Sequence, residues 1–338
     1  MATLFTDYAQ PYELSLTARV GQEEQEASNE LAAYLPIRNV SGISVEIEQF
    51  DGGMNEIAEY RAYDAENSFG ETSGGEVTTV KLPPLGQQAR VSEWDQLNMR
   101  NITNTDLHVT EQLKVAKRLG AAIASRIELA RGQVISTGQF QAKENGFVAK
   151  VDFGRAAEMN ATADNLWSDP ATATPISDIS AWTDAYVAQN GFKPTRIRLS
   201  AQAIAAAKRS DEVKQYIPAN SIQLVTLDLL NQILASDNLP VIWEYDKKVK
   251  KAGKLIDVMP ADTAVLMPDP TVGAMGATAM GTTLEALEAS YGVPAGEQPG
   301  IVVGAYKSHN PIAVYLNGAA IGLPILGNAN AFMSAKVL

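Results

Sequence analysis

The sequence contains no cysteine and only two histidines, His108 and His309, among 338 residues. The first absence excludes a disulfide scaffold, thiolate catalysis, iron–sulfur clusters and cysteine zinc sites, and the second leaves no H-E-x-x-H. No run of 18 or more apolar residues offers a membrane-spanning helix, and the opening MATLFTDYAQ lacks a basic n-region and an apolar h-region. Basic charge is scarce, 27 Lys and Arg against 39 Asp and Glu, a net −12 at pH 7. That is the wrong sign for a chain that wraps nucleic acid by neutralising phosphates. No G-x-S-x-G, G-x-G-x-x-G or G-x-x-x-x-G-K-[ST] is found, and the nearest glycine cluster, Gly273, Gly276 and Gly281, has the wrong spacing for a phosphate cradle and no lysine. Carboxylate pairs such as Glu285/Glu288 are not set apart from the other acids. The chain is therefore expected not to be an enzyme and to hold no cofactor and no metal.

What is present belongs to an ordinary globular protein: 46% hydrophobic and 20% charged residues, in a length that suggests about two structural units. Residues 1–35, with the polar run GQEEQEASNE, read as an extended or partly helical arm. SGISVEIEQF alternates Ile43, Val45 and Ile47 with polar residues, the period of a strand covered on one face. IAEYRAYDAENSFG reads as a second extended stretch and VTTVKLPPLG as a third strand ending at Pro83-Pro84, so 40–90 resembles a long hairpin. It has no helix of its own to cover it, which leaves paired strands exposed unless another chain or a remote segment packs on them.

Between Thr105 and Thr137 there is no proline, and Val109, Leu113, Ala116, Gly120, Ile123, Ile127, Ala130 and Val134 recur at alternating spacings of four and three. This predicts a helix of about 33 residues, roughly 50 Å long, flanked by Asn104, Thr105 and Asp106 before it and Gly138 after it. Its Ala and Gly content, with Gly132 interrupting the stripe, favours packing on a sheet over a coiled coil. Further on, NGFVAKVDF reads as a strand pair or bend, EMNATADNLWSDPATATPIS as loop, and Ile179–Gln189 as helix. TRIRLS, LPVIWEYD, KLIDVMP and TAVLMPD read as strands, with AQAIAAAKRSDEVKQYI and LDLLNQILAS as helices, a mixed α/β domain over roughly 178–270. The remainder holds a short amphipathic element at Thr283–Ser290, two long strands in GIVVGAYKSH and PIAVYLNGAAIG, and a last strand in AFMSAKVL.

Lys247, Lys248, Lys250, Lys251 and Lys254 form the one basic cluster. Without interleaved aromatics for base stacking, they read first as an exposed hairpin tip between two strands, and second as a basic surface contact facing solvent or a packaged genome.

The order of YRAYDAENSFG, LPPLGQQARVSEWDQL, TRIRLSAQAIAAAKRSDEV, LPVIWEYD, TAVLMPD, MGTTLEAL and PGIVVGAYKSHNPIAVY resembles the major capsid proteins of tailed bacteriophages, the Hong Kong 97-type fold, in its lambda-like major capsid protein E branch. The resemblance spans about 60–338 and rests on many short phrases in the right order. It implies an α+β capsid fold: an N-terminal arm (1–35), an extended β-hairpin loop (36–97), a long spine helix with the peripheral domain (98–177), an axial domain (178–270), and a return to the peripheral domain with C-terminal strands (271–338). It also implies assembly through hexamers and pentamers into an icosahedral shell around double-stranded DNA, formed in the host cytoplasm, with a scaffolding protein, a portal and a decoration protein as partners and no membrane.

In such a shell the loop lies over the neighbouring subunit, and Arg61, Phe69, Arg90, Glu93, Trp94 and Asp95 are the contact candidates. Arg61 and Arg90 pair either with a neighbour's carboxylates or within the subunit. The short segment before the loop implies a separate scaffold and a separate protease. Some members crosslink a loop lysine to an asparagine; Lys81 lies in that region, but the lambda-like branch is reinforced by decoration proteins and no crosslink is expected. Two other readings stand beside this one: an encapsulin-type nanocompartment shell, and a soluble α/β enzyme with an unrecognised site.

Overall fold

The computed structural model describes residues 4, 6, 9–49, 76–91, 105–216, 224–271, 275–309 and 312–338. The chain divides into two units: Met1–Glu46 with Thr79–Arg131 and Gly276–Ile325, and Ile47–Thr78 with Gly132–Met275 and Leu326–Leu338.

In the first unit the polar N-terminal segment is more ordered than its composition suggests. It forms helix α1, Pro11–Glu26, which buries Leu14, Ser15, Ala18, Gly21 and Gln22. The buried positions fall at spacings of three and four, but most of them are small or polar, so the stripe does not register as hydrophobic in the sequence. The long periodic stretch forms helix α2, Thr105–Thr137, with the bounds its spacing predicts. Its stripe packs on a sheet, as its small residues imply: Ala116, Leu119, Ile123 and Ile127 share one core with Leu14 and Ala18 of α1 and with Val303, Ala305, Val314 and Leu316.

That sheet has the order β1-β13-β15-β14, with β4 also paired to β15. Its strands are β1 (Ile37–Asn39), β4 (Pro84–Val91), β13 (Gly276–Gly281), β14 (Val302–His309) and β15 (Ile312–Leu326). The strand read as ending at Pro83-Pro84 does end there, after Glu76–Lys81, but the sequence reading missed the strand that follows: the chain continues from Pro84 into β4, antiparallel to β15 from Pro84↔Ile321 to Val91↔Val314. Proline is tolerated there because it is the first residue of its strand. Helix α1 covers the β14 edge: Ser15 Oγ accepts from Val303 N at 3.0 Å, meeting a backbone donor that an edge strand leaves open. The predicted loop stem also forms, as a two-stranded ladder of β2 (Ser44–Gln49) and β3 (Glu76–Lys81). The second extended stretch, within 50–75, lies outside the described residues.

The second unit is built on a five-stranded sheet, β7-β16-β12-β8-β9: β7 (Asn160–Thr162), β8 (Arg196–Leu199), β9 (Val241–Glu244), β12 (Thr263–Met267) and β16 (Met333–Lys336). Strand β7 falls where the sequence reads as loop; it is three residues long, too short to show a period, and exists because Ser334–Lys336 pair with it in parallel. Helices α3 (Pro175–Asn190), α4 (Ala201–Arg209), α5 (Asp211–Gln215) and α6 (Leu227–Ser236) complete the unit. The single Ala-rich helix expected over 201–217 is instead two. Ser210 takes an extended conformation and its hydroxyl accepts from Val213 N, so it ends α4 and caps α5.

Trp167, fully buried, stacks on Trp182 with ring centroids 6.0 Å apart and donates its Nε1–H to Asp178 Oδ2 at 2.8 Å. Burial raises the Asp178 carboxyl above its ordinary range; the Trp167 hydrogen bond opposes this, and Glu212 and Asp164 add to it. A raised folded pKa means that the folded state holds this proton more tightly than the unfolded chain. The group's contribution is then full below the unfolded carboxylate pKa and is lost as pH rises through the folded value. Asp178→Asn, which keeps the acceptor oxygen, is expected to flatten that fall in urea-unfolding free energies from the carboxylate range upward. An unchanged pH slope would contradict this assignment.

Gly132, which interrupts the helical stripe in the sequence, has a packing reason. A Cβ there would lie 2.1 Å from Val258 O, so the backbone of residue 258 rides directly on α2. The helix stops at Gly138, at φ +69°, and its last carbonyls are capped from a distance. The Arg155 guanidinium donates to Ile135 O at 2.6 Å and Ser136 O at 3.0 Å, placing a cation on the negative end of a helix that has no basic residue in its own last turn. Burial lowers the Arg155 pKa to about 10, which leaves the group charged at neutral pH.

Candidate assembly surfaces

Two hairpins extend the second unit. Strands β5 (Gln139–Glu144) and β6 (Phe147–Asp152) join through Asn145-Gly146, both at positive φ. Strands β10 (Lys248–Lys251) and β11 (Lys254–Asp257) join through Ala252-Gly253 in the same manner. The lysines therefore do sit at an exposed hairpin, but on its strands and not between two strands. Lys248, Lys250 and Lys251 are one strand, Lys254 opens its partner, and Lys247 precedes the first. Val249 alone interrupts the lysines, too little to show a strand period in the sequence.

In register, Lys248 faces Asp257 and Lys250 faces Leu255. Lys248 forms an ion pair with Asp257, and that hydrogen bond raises its pKa. Lys251 forms an ion pair with Glu144 of the other hairpin. Lys250 and Lys254 are exposed on opposite faces, and Leu255, on the face of Lys250, is 70% exposed.

Of the six predicted contact residues, the structure places Arg90; Arg61, Phe69, Glu93, Trp94 and Asp95 lie outside the described residues. Arg90 is exposed on β4, directly opposite Tyr315. Strand alternation turns Leu85, Ala89 and Val91 to the α2 core and leaves Gln88 and Arg90 on the other face. There Tyr306 and Tyr315 stack at 5.3 Å, and Gln88 Nε2 donates to the Tyr306 hydroxyl at 2.6 Å. Arginine beside tyrosine on an exposed sheet face is the composition that concentrates binding energy at protein interfaces. The two tyrosines escape sequence reading because they lie nine residues apart and meet only through the β14–β15 register.

A third surface was also missed. Thr283 Oγ1 caps the short helix α7, Leu284–Leu287, by accepting from Ala286 N. Ala286 is buried, whereas Leu284 and Leu287 are 79% and 59% exposed and each is followed by an acid, Glu285 and Glu288. Burial, then these two carboxylates, raises the Tyr291 phenol above its ordinary value. Among the described residues no group of three His, Asp or Glu could hold a metal, and no helix is long and apolar enough to cross a membrane.

The fold that carries these surfaces is shared by solved capsid proteins. A capsid protein assigned to a prophage of Escherichia coli CFT073 matches with a TM-score of 0.61 at 13% identity, over 100% of both chains. A phage-related protein from Bordetella bronchiseptica RB50 matches at 0.56 and 17% identity, over 95% of this chain and 94% of that one. The capsid of Myoviridae phage XM1 matches at 0.50 and 11% identity, over 92% of each. The fold is thus the Hong Kong 97-type capsid fold. No curated protein matches the sequence. The family model of phage major capsid protein E matches residues 31–337, and the chain belongs to that family. It is a structural subunit of a phage head, and the encapsulin and soluble-enzyme readings are set aside.

Proposed function

We propose that copies of this chain assemble through hexamers and pentamers into a closed icosahedral shell around double-stranded phage DNA. Assembly takes place in the host cytoplasm, on a scaffolding protein and from a portal, and a decoration protein later reinforces the shell. The role is structural, with no catalytic step. The observation that carries this reading is the family match over almost the whole chain.

The geometry supports it in detail. The β2–β3 ladder leads into and out of the loop segment as a two-stranded stem, and Ile43 at its base is 61% exposed, apolar area that a neighbouring subunit would bury. On this reading residues 1–35 act as the arm, 36–97 as the loop over the neighbour, 98–177 as spine helix and peripheral domain, 178–270 as axial domain, and 271–338 as the return. Arg61, Phe69, Arg90, Glu93, Trp94 and Asp95 contact adjacent subunits. Modest contacts repeated under closed symmetry then sum to a stable shell.

Expression of the chain alone and with its genomic neighbours, followed by light scattering and negative-stain microscopy, tests this. Capsomers, tubes or closed shells are expected in at least one preparation. A stable monomer or dimer in both would refute it.

A further inference from the structure

Two of the exposed surfaces are chemical complements. The β10–β11 hairpin presents Leu255 beside its register partner Lys250 on one face, with Lys254 on the other. The Thr283–Gly292 segment presents Leu284 and Leu287, each followed by an acid, Glu285 and Glu288. Each leucine sits where local structure holds it out to solvent: Leu255 by the strand register opposite a lysine, Leu284 and Leu287 by a capped turn whose small Ala286 is the residue that packs inward. Both surfaces are small, and a chain with a net charge of −12 concentrates its lysines on only one of them.

We propose that the β10–β11 hairpin of one copy docks on the Thr283–Gly292 segment of a neighbouring copy. The inference rests on the shell reading. Leucine meets leucine at the centre, and lysine meets glutamate at the rim, where opposite charge sets partner and register more than affinity. The contact is heterologous: every copy offers one hairpin and receives one, the arrangement that closes into rings.

Packaged DNA is the other ligand that lysines suggest, and the structure favours it less. Two of the five lysines, Lys248 and Lys251, are already paired with carboxylates, and an exposed leucine has no use against phosphate.

The test is a charge swap in the shell-forming preparation, read as the yield of closed particles by sedimentation and microscopy. Lys250→Glu and Glu285→Lys/Glu288→Lys are each expected to fold with the wild-type circular dichroism melt and to lower particle yield about tenfold or more, the effect of roughly 1.4 kcal/mol. Combining all three changes is expected to restore most of the yield, because the attraction is rebuilt with its sign exchanged. Leu255→Ser, which changes no charge, is expected to lower the yield as well. Normal assembly of either charge variant, or a combined variant no better than its parents, would overturn the docking while leaving the shell reading intact. Normal assembly of the lysine variant with reduced DNA retention would assign the lysines to nucleic acid and also overturn it. Failure of the wild-type chain to assemble in any preparation would remove the shell reading and this contact together.

Discussion

Arg131→Met is expected to destabilise the first unit by about 3–5 kcal/mol, the cost of leaving a buried partner charge uncompensated. Arg131 and Glu128 are fully buried, one helical turn apart on α2. The guanidinium donates to Glu26 Oε2 at 2.7 Å, to Glu128 Oε2 at 3.3 Å, and through Nε to Thr278 Oγ1 at 2.9 Å. Glu128 in turn accepts from Leu31 N, and Thr278 Oγ1 donates to Leu35 O. One cation thus ties α1, the turn after it, the spine helix and β13 together.

With methionine at 131, Glu128 stays buried beside a chain of similar volume and no positive charge, so the loss is electrostatic and not a cavity. Adding Glu128→Gln should recover a large part, because the remaining acid, Glu26, is 14% exposed and can reach water. Denaturant unfolding of the single and double variants measures both terms. A single-variant cost below about 1 kcal/mol would mean that the network contributes no more than a surface pair does.

The second large effect is expected at the crossing of α1 and α2. Gly21 and Gly120 approach the opposite backbones: a Cβ on Gly120 would lie 1.8 Å from Ala18 O, and one on Gly21 would lie 2.2 Å from Lys117 O. Replacing a helical glycine by alanine ordinarily favours the helix by about 1 kcal/mol. Here the clash is with backbone, which cannot move aside as a side chain can, so Gly120→Val should cost about 3 kcal/mol or more and open the α1 contact. Limited proteolysis within residues 11–30 should accelerate in the variant. Wild-type protease resistance together with a wild-type melt would contradict the close crossing.

Several elements were legible because their signal is local. The α2 stripe gives the bounds of the helix directly, since spacings of three and four suit only a 3.6-residue period. The strands at 196–199, 241–244 and 263–267 are short apolar runs between turn residues and are found where expected. The corrections share a different origin. Strand β4 carries two glutamines and an arginine and becomes a strand because β15 is there to pair with it. Helix α1 buries glycine, serine and glutamine, residues whose inward direction no hydropathy pattern discloses. The lysine run reads as a hairpin tip between two strands, and only the register of β10 on β11 shows that most of it is strand.

The candidate surfaces divide in the same way. Arg90 and the lysines could be named from the sequence, whereas Tyr306 with Tyr315, and Leu284 with Leu287 beside acids, emerge only when exposure is known. By itself the sequence determined the class of protein, the long spine helix and the absence of cysteine chemistry, because composition, period and order of phrases are properties of the chain alone. Only the tertiary structure decided which small residues are close backbone approaches, which charges are buried together and which leucines remain in water. Those depend on what segments far apart in the chain bring next to one another, and pairing, burial and exposure are properties of that neighbourhood.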